Sequence, residues 1–349
     1  MKTVLGLLLF ISLQLPAFAG YKTIGFQAST LSDEQNARPL ELVIWYPSTT
    51  TAAPRLVADT AVFIGDLAVH DAPPAAGTYP LVVLSHGFRG NWGNQSWLAS
   101  ALAHQGFIVA AVNHPGTTTR DRGPAAAAQL WQRPIDLRRA IDAVMARAGQ
   151  VGRVAKGQVA VVGHSLGGWT ALEIAGARFD ATRFAQDCVT HPQLSSCSVY
   201  KQINPDRDPV SQARLGGDLR DDRVTAIVTL DLGLSRGLSD ESLAALPVPA
   251  LVIAAGAPSA DLPAQLESAD LAKRLPAATS RYVEIADASH FSFLSPCKPG
   301  AVALLEEDAA GDGVICQEGN SARPRTQIQL QIASLVSGFL QQHFAMADR

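Results

Sequence analysis

The chain has 349 residues, of which 47% are hydrophobic and 17% charged, and its formal net charge is −3. This balance is typical of a globular protein with enough apolar material for a sizeable core, and the length suits one large domain or two small ones. Because there is no strong basic or acidic excess, we expect neither a nucleic-acid partner nor binding to an anionic membrane surface.

The amino-terminal segment over 1–19 differs from the rest of the chain. Lys2 precedes an apolar run over 4–13, and a small-x-small motif follows at Ala17-Phe18-Ala19. This order is the pattern of a secretory signal peptide, and the apolar run is too short to cross a bilayer. We therefore expect cleavage near Ala19, export to the periplasm or the medium, no stable membrane anchor, and a single mature domain over 20–349.

Short apolar runs rich in valine and isoleucine recur along the mature chain and alternate with helical patterns. The predicted strands lie at 40–46, 81–84, 107–112, 159–162, 224–230, 248–254 and 281–285. The predicted helices lie at 97–104, 134–148, 169–177, 265–275 and 326–344. Continuous apolar strands are buried on both faces, and their alternation with helices predicts an α/β fold with a mostly parallel central sheet flanked by helices.

The fourth predicted strand meets the next helix through Gly163-His164-Ser165-Leu166-Gly167. A serine between glycines at a tight strand-to-helix turn is the pattern of a nucleophile elbow, in which the hydroxyl stands clear at the carboxyl edge of the sheet. A second Gly-x-Ser-x-Gly match at 233–237 follows its strand only after several residues. We interpret Ser235 as a loop residue and predict Ser165 as the nucleophile.

A serine nucleophile needs a histidine base and a carboxylate that orients the base, and in this arrangement the acid and then the histidine follow the serine along the chain. His290 comes shortly after the last predicted strand, which places it at the same sheet edge as the serine. Asp231 directly ends the fifth predicted strand, whereas Asp261 lies several residues beyond the sixth. We favour Asp231, since Asp261 would need an unusual loop; Asp261, and after it residues such as Asp287, stay open as alternatives.

Hydrolysis through a tetrahedral intermediate also needs N–H donors for the oxyanion. The backbone N–H of Leu166, directly after the serine, is one predicted donor. The second is expected from the loop after the strand at 81–84, which reads Ser85-His86-Gly87-Phe88. We assign it to the backbone N–H of Phe88.

The four cysteines lie in two stretches without strong periodicity, Cys188 and Cys197 in 179–222 and Cys297 and Cys316 in 296–325. An even number of cysteines in an exported chain suggests disulfides, and no pair has the Cys-x-x-Cys spacing of a metal site. Of the three possible pairings we prefer Cys188–Cys197 with Cys297–Cys316, because each pair lies within one apparent insertion. The first stretch follows the elbow helix and is predicted to form a lid or cap insertion.

Four stretches, LVVLSHGFRGN, VAVVGHSLGGWTA, AIVTLDLG and ASHFSFLSPC, resemble the α/β-hydrolase superfamily. Within it the chain is similar to the group that joins dienelactone-hydrolase-like proteins and platelet-activating-factor acetylhydrolases, a resemblance that rests on the position of Asp231. This resemblance implies cleavage of a small-molecule ester by water, without metal or cofactor. True dienelactone hydrolases carry a cysteine where this chain has Ser165, which argues against dienelactone as the substrate.

The combined pattern predicts a serine esterase that forms an acyl-enzyme on Ser165, with short-chain acyl esters as the expected substrates. An amidase or peptidase is the first alternative, because amides and esters pass through the same kind of oxyanion. A non-catalytic binding protein on a hydrolase scaffold is the second. The sequence makes no prediction of the oligomeric state.

Overall fold

The computed structural model describes residues 20–33, 38–318 and 323–347, so the predicted signal peptide over 1–19 lies outside the described residues. These ranges contain a ten-stranded sheet. Its strands are β1 (Thr23–Leu31), β2 (Leu40–Ser48), β3 (Arg55–Val57), β4 (Asp66–His70), β5 (Thr78–Ser85), β6 (Ile108–Asn113), β7 (Arg153–His164), β8 (Ala226–Leu230), β9 (Ala250–Ala255) and β10 (Ser280–Ile285).

The spatial order of the strands is β10-β9-β8-β7-β5-β6-β2-β1-β4-β3. The strands from β10 to β6 in this order run parallel to one another, and β2 pairs with β6 antiparallel. Every residue of β8 and β9 is buried, as expected for strands that are covered on both faces. The predicted α/β architecture with a mostly parallel central sheet is confirmed.

Helices cover both faces of this sheet. The α-helices are α1 (Ser96–His104), α2 (Pro124–Ala127), α3 (Gln132–Ala146), α4 (Ala148–Val151), α5 (Leu166–Ile174), α6 (Ala181–Thr190), α7 (Ser195–Ile203), α8 (Pro209–Leu215), α9 (Asp240–Ala244), α10 (Ser268–Arg274), α11 (Ala301–Asp308) and α12 (Arg325–Ala347). Short 3₁₀ helices lie at Trp92–Gln95, Ser235–Gly237, His290–Phe293 and Asp312–Cys316. Apolar residues of α3, α5 and α7 share one core cluster, whereas those of α1 and α12 share the cluster on the opposite face.

Two regions differ from the sequence-based expectation. The antiparallel β1 and the short β3 and β4 were not predicted, because β3 and β4 have only three and five residues and the second half of β1 alternates between exposed and partly buried positions, so no long apolar run marks them. The stretch over 179–222, which shows no clear period in the sequence, contains the three helices α6, α7 and α8.

Both predicted disulfides are present. Cys188–Cys197 joins α6 to α7, and Cys297–Cys316 joins the chain after the His290–Phe293 turn to the last 3₁₀ helix. Neither the long α12 nor any other helix of the described ranges has the length and apolarity needed to span a membrane.

Candidate active site

Ser165 alone connects β7 to α5, since the strand ends at His164 and the helix begins at Leu166. Its backbone has φ 54° and ψ −122°, a region that costs a residue with a Cβ on the order of 1–3 kcal/mol. A Cβ on Gly163 would lie 1.9 Å from the carbonyl oxygen of Gly167, which is why the turn needs glycine there. The tight elbow expected from the sequence therefore forms, with Ser165 at its apex.

Asp231 and His290 meet at the carboxyl ends of neighbouring strands. Asp231 directly follows β8, is 3% exposed, and places its Oδ2 2.6 Å from Nδ1 of His290. Its other oxygen, Oδ1, accepts a hydrogen bond of 2.9 Å from the backbone N–H of Ala255. A buried carboxylate can only accept, so His290 carries its proton on Nδ1, and Nε2 is left to act as an acceptor.

The competing carboxylates lie elsewhere. Asp261 is exposed, and its Oδ1 accepts a 2.7 Å hydrogen bond from Ser259 Oγ. Asp287 forms an ion pair with Arg323. Of the three carboxylates weighed from the sequence, the structure brings Asp231 alone into contact with the His290 ring.

Ser235 of the second Gly-x-Ser-x-Gly match is fully buried. Its Oγ donates to Glu267 Oε2 at 2.6 Å, and the same carboxylate accepts the backbone N–H of Ser235 at 3.0 Å. The other oxygen of Glu267 accepts from Ser196 Oγ of helix α7 at 2.7 Å. Glu267 thus links Ser235, in the loop that follows Asp231, to Ser196 in the insertion over 179–222.

His164 connects the elbow to the histidine loop. Its Nε2 donates a 3.0 Å hydrogen bond to the backbone carbonyl of His290, and the two ring centroids are 4.6 Å apart. Burial lowers the pKa of His164 well below its usual range, so this ring is neutral. Because His164 directly precedes Ser165, these contacts hold His290 beside the elbow.

The hydrogen bonds among the described residues include none between Ser165 Oγ and His290 Nε2. Hydrogen bonds between a nucleophile and its base are often long or poorly aligned before substrate binds. The side chain of His290 is 21% exposed, so its outer edge is accessible from solvent.

The loop after β5 packs directly against the elbow. A Cβ on Gly87 would lie 3.0 Å from Cβ of Ser165. Within the described part of the chain, no hydrogen bond uses the backbone N–H of Phe88 or of Leu166, the two predicted oxyanion donors. Two backbone N–H groups without a hydrogen bond among the described residues therefore lie next to the elbow: that of Leu166 directly follows Ser165, and that of Phe88 directly follows Gly87.

A buried polar cluster, which the sequence did not indicate, lies behind this loop. It consists of Arg38, Ser85, His86, His114, Arg133 and Asp136, all at most 7% exposed. Asp136 accepts two hydrogen bonds from Arg38, of 3.0 and 2.8 Å, and a third of 3.0 Å from Nδ1 of His114. Burial lowers the pKa of His86 and of His114 well below the usual range, so both rings are neutral.

Comparison with known proteins finds relatives that are similar in sequence over part of the chain. Bis(hydroxyethyl) terephthalate hydrolase of Streptomyces coelicolor is 31% identical over 161 residues, which are 44% of this chain and 48% of that protein. Cutinase est2 of Thermobifida alba is 31% identical over 110 residues, 31% of this chain and 34% of the cutinase. The chain thus spans half or less of the length of these curated relatives.

Among solved structures, a ferulic acid esterase from Streptomyces cinnamoneus superposes with a TM-score of 0.63, covering 94% of this chain and 92% of that one. At 21% sequence identity this is a likeness of fold. The model of the alpha/beta hydrolase family matches residues 82–303, more than half of the chain, and includes the elbow and the pair at Asp231 and His290. With the sheet order and the strand-to-helix elbow, this match establishes that the chain belongs to the α/β-hydrolase family.

Proposed function

We propose that this protein hydrolyses carboxylic esters through an acyl-enzyme on Ser165, with His290 as the base and Asp231 as the acid that orients it. The observation that carries the proposal is the 2.6 Å hydrogen bond from His290 Nδ1 to the buried Asp231, on a ring held next to the strained elbow. This bond fixes the tautomer in which Nε2 can accept a proton, which is what a serine nucleophile requires.

In the proposed reaction, Ser165 Oγ attacks the ester carbonyl carbon while its proton passes to Nε2 of His290. The carbonyl electrons move onto oxygen, and the backbone N–H groups of Phe88 and Leu166 stabilise this oxyanion together with the N-terminus of helix α5. The tetrahedral intermediate then collapses, and imidazolium gives its proton to the departing alcohol. Water attacks the acyl-enzyme by the same path and releases the acid.

The relatives support the ester class. Their names describe a bis(hydroxyethyl) terephthalate hydrolase, cutinases and, for the fold neighbour, a ferulic acid esterase. Each name refers to cleavage of an ester bond, in line with the implied small-molecule ester substrate. We propose short-chain acyl esters as the preferred substrates of this chain.

We also propose that the protein works outside the cytoplasm and that residues 179–222 form a lid over one side of the site. Two disulfides support export, because such bonds persist in oxidising compartments. The position of helix α7 supports the proposed lid. The backbone N–H of Ser195 donates to the carbonyl of Asp261 at 2.7 Å, near the loop that follows Asp231.

The test compares Ser165→Ala with Ser235→Ala, the matched serine of the second Gly-x-Ser-x-Gly sequence. Initial rates are measured on p-nitrophenyl acetate, butyrate and octanoate and on the corresponding anilides, with folding checked by circular dichroism. Ser165→Ala is expected to lose at least about 1000-fold in kcat, since the nucleophile is gone, while Ser235→Ala keeps measurable turnover. An active Ser165→Ala enzyme would overturn the proposal, and faster cleavage of the anilides would favour an amidase.

A further inference from the structure

We propose that Arg133 is a positioning residue that holds the two halves of the oxyanion hole at their working distance. This inference rests on the proposed function, because the halves are the segments that carry the N–H groups of Leu166 and Phe88. Arg133 lies in α3, is 1% exposed, and does not itself reach the reacting atoms by any contact in the structure.

The Nε atom of Arg133 contacts helix α5, which follows Ser165. Its Nε donates a 2.9 Å hydrogen bond to Oγ1 of Thr170. Thr170 Oγ1 in turn donates to the backbone carbonyl of Leu166 at 3.1 Å. The guanidinium is therefore connected through one hydroxyl to the residue that carries the first oxyanion donor.

The Nη2 atom of Arg133 contacts the loop after β5. Nη2 of Arg133 donates to the backbone carbonyl of His86, and to Ser85 Oγ at 3.2 Å. The His86 ring donates from Nδ1 to the carbonyl of Gly87 at 2.7 Å, directly before Phe88. The loop that carries the second donor is thus held by the same guanidinium.

The remaining nitrogen binds the loop after β6, which carries neither of the two predicted donors. Nη1 of Arg133 donates to Thr117 Oγ1 at 2.7 Å, on the loop after β6. Three nitrogens of one rigid plane therefore bind three segments of the chain. A lysine ammonium could not do this, because it is a single charged point without the planar fork of guanidinium.

The surroundings keep Arg133 charged. Burial lowers the pKa of Arg133 to about 9, and nearby Asp136 opposes this shift, so the guanidinium stays protonated at neutral pH. Asp136 is itself bound by Arg38, whereas the rings of His86 and His114 are neutral. A charged guanidinium whose three nitrogens all donate hydrogen bonds suits a rigid spacer between the elbow helix and the loop after β5.

Because the oxyanion forms only during the reaction and is absent from the bound ester, a displaced donor lowers kcat and leaves KM nearly unchanged. Loss of one oxyanion donor costs on the order of 100- to 1000-fold in kcat. Displacement of a donor that is still present should cost less, and we expect about 10- to 100-fold when the connection through Arg133 is cut.

The test uses Thr170→Val, with Thr117→Val as the matched control. Both variants remove one hydroxyl that accepts from Arg133 and are similar in shape, but Thr170 alone leads to Leu166. We expect Thr170→Val to lower kcat about 10-fold or more, with KM within twofold, and to lower the affinity for a phenylboronic acid, whose tetrahedral adduct mimics the oxyanion, by a similar factor. Thr117→Val should stay within threefold in kcat.

Equal losses in both variants, or a Thr170→Val effect confined to KM, would overturn the proposal. If Thr170→Val does not fold, Arg133→Lys replaces it in the test. Wild-type values of kcat and boronate affinity in Arg133→Lys would overturn the proposal, whereas a loss of both at constant KM would support the proposal. Ser165→Ala separates this question from the proposed function. An inactive Ser165→Ala enzyme together with a fully active Thr170→Val enzyme refutes the role of Arg133 alone, whereas an active Ser165→Ala enzyme refutes the esterase mechanism.

Discussion

Replacing Asp231 by asparagine tests whether this carboxylate orients the His290 ring. The carboxylate accepts on both sides, from the backbone N–H of Ala255 at 2.9 Å and from Nδ1 of His290 at 2.6 Å. Asparagine has one oxygen and one NH₂ in the same space. Because the N–H of Ala255 belongs to β9 and cannot turn away, the oxygen faces Ala255 and the NH₂ faces His290.

This arrangement forces the wrong tautomer on the histidine. Opposite an NH₂ donor, Nδ1 of His290 must accept, so the proton moves to Nε2 and the ring can no longer take a proton from Ser165. The flipped amide would set NH₂ against the N–H of Ala255, and an unsatisfied buried donor costs about 1–3 kcal/mol. With the negative charge beside the imidazolium also gone, we expect kcat to fall about 1000- to 10,000-fold, or about 4 to 5.5 kcal/mol in the barrier.

The assay measures kcat and KM on p-nitrophenyl acetate for Asp231→Asn, with Asp261→Asn as the control. Asp261 is exposed and its carboxylate contacts Ser259. We expect Asp261→Asn to stay within about twofold of the wild type, since surface changes away from a site have small effects. A folded Asp231→Asn enzyme with more than a tenth of wild-type kcat, or a large loss in Asp261→Asn, would refute this reasoning.

The remaining predictions concern the surroundings of the site. His164→Phe keeps an aromatic ring against His290 but loses the hydrogen bond to its carbonyl, so kcat should fall about 10-fold at constant KM, and wild-type kcat would contradict this. The double change of Cys188 and Cys197 to serine should lower the free energy of unfolding in urea by about 3 kcal/mol, because the bond closes a loop with a sequence separation of 9; an unchanged midpoint would contradict it. Burial raises the pKa of Glu173 well above its usual 4.5, so the folded state favours the protonated acid, and stability falls as pH rises from that value towards the folded pKa. Glu173→Gln should therefore gain stability relative to the wild type as the pH rises above 4.5 towards the folded pKa, by at most about 1.4 kcal/mol per pH unit, and a pH-independent difference would contradict it.

The central strands could be predicted because burial on both faces leaves a continuous apolar run in the sequence. β8 and β9 are buried at every residue, and both runs were recognised. β1 pairs antiparallel with β2 near the edge of the sheet, and its second half alternates between exposed and partly buried residues. No continuous apolar run marks such a strand, so it was missed.

The candidate site could largely be located because its side chains follow strands whose ends meet at one edge. Ser165 follows β7, Asp231 follows β8, and His290 follows β10 after a short loop. In a parallel sheet the carboxyl ends of the strands lie together, so chain position alone brings these residues close. Their exact hydrogen bonds depend on loop conformations, which the sequence pattern does not determine.

Arg133 could not be predicted as part of the site. Arginine is seldom fully buried, and an arginine in an amphipathic helix is normally read as a solvent-facing residue. Its partners Thr117, Thr170 and Ser85 lie 16, 37 and 48 residues away in the sequence. Only the packing of α3 between the elbow helix and the loop after β5 brings these groups together.

The most direct test of the esterase mechanism is mass spectrometry of the protein after reaction with a fluorophosphonate. An activated serine attacks the phosphorus and displaces fluoride, which leaves a stable adduct that resembles the tetrahedral intermediate. We predict one adduct per chain, located by peptide mapping on Ser165, with loss of ester hydrolysis in proportion to labelling. Full inactivation with the adduct on another residue such as Ser235, or an active enzyme whose Ser165 resists the probe, would contradict the mechanism.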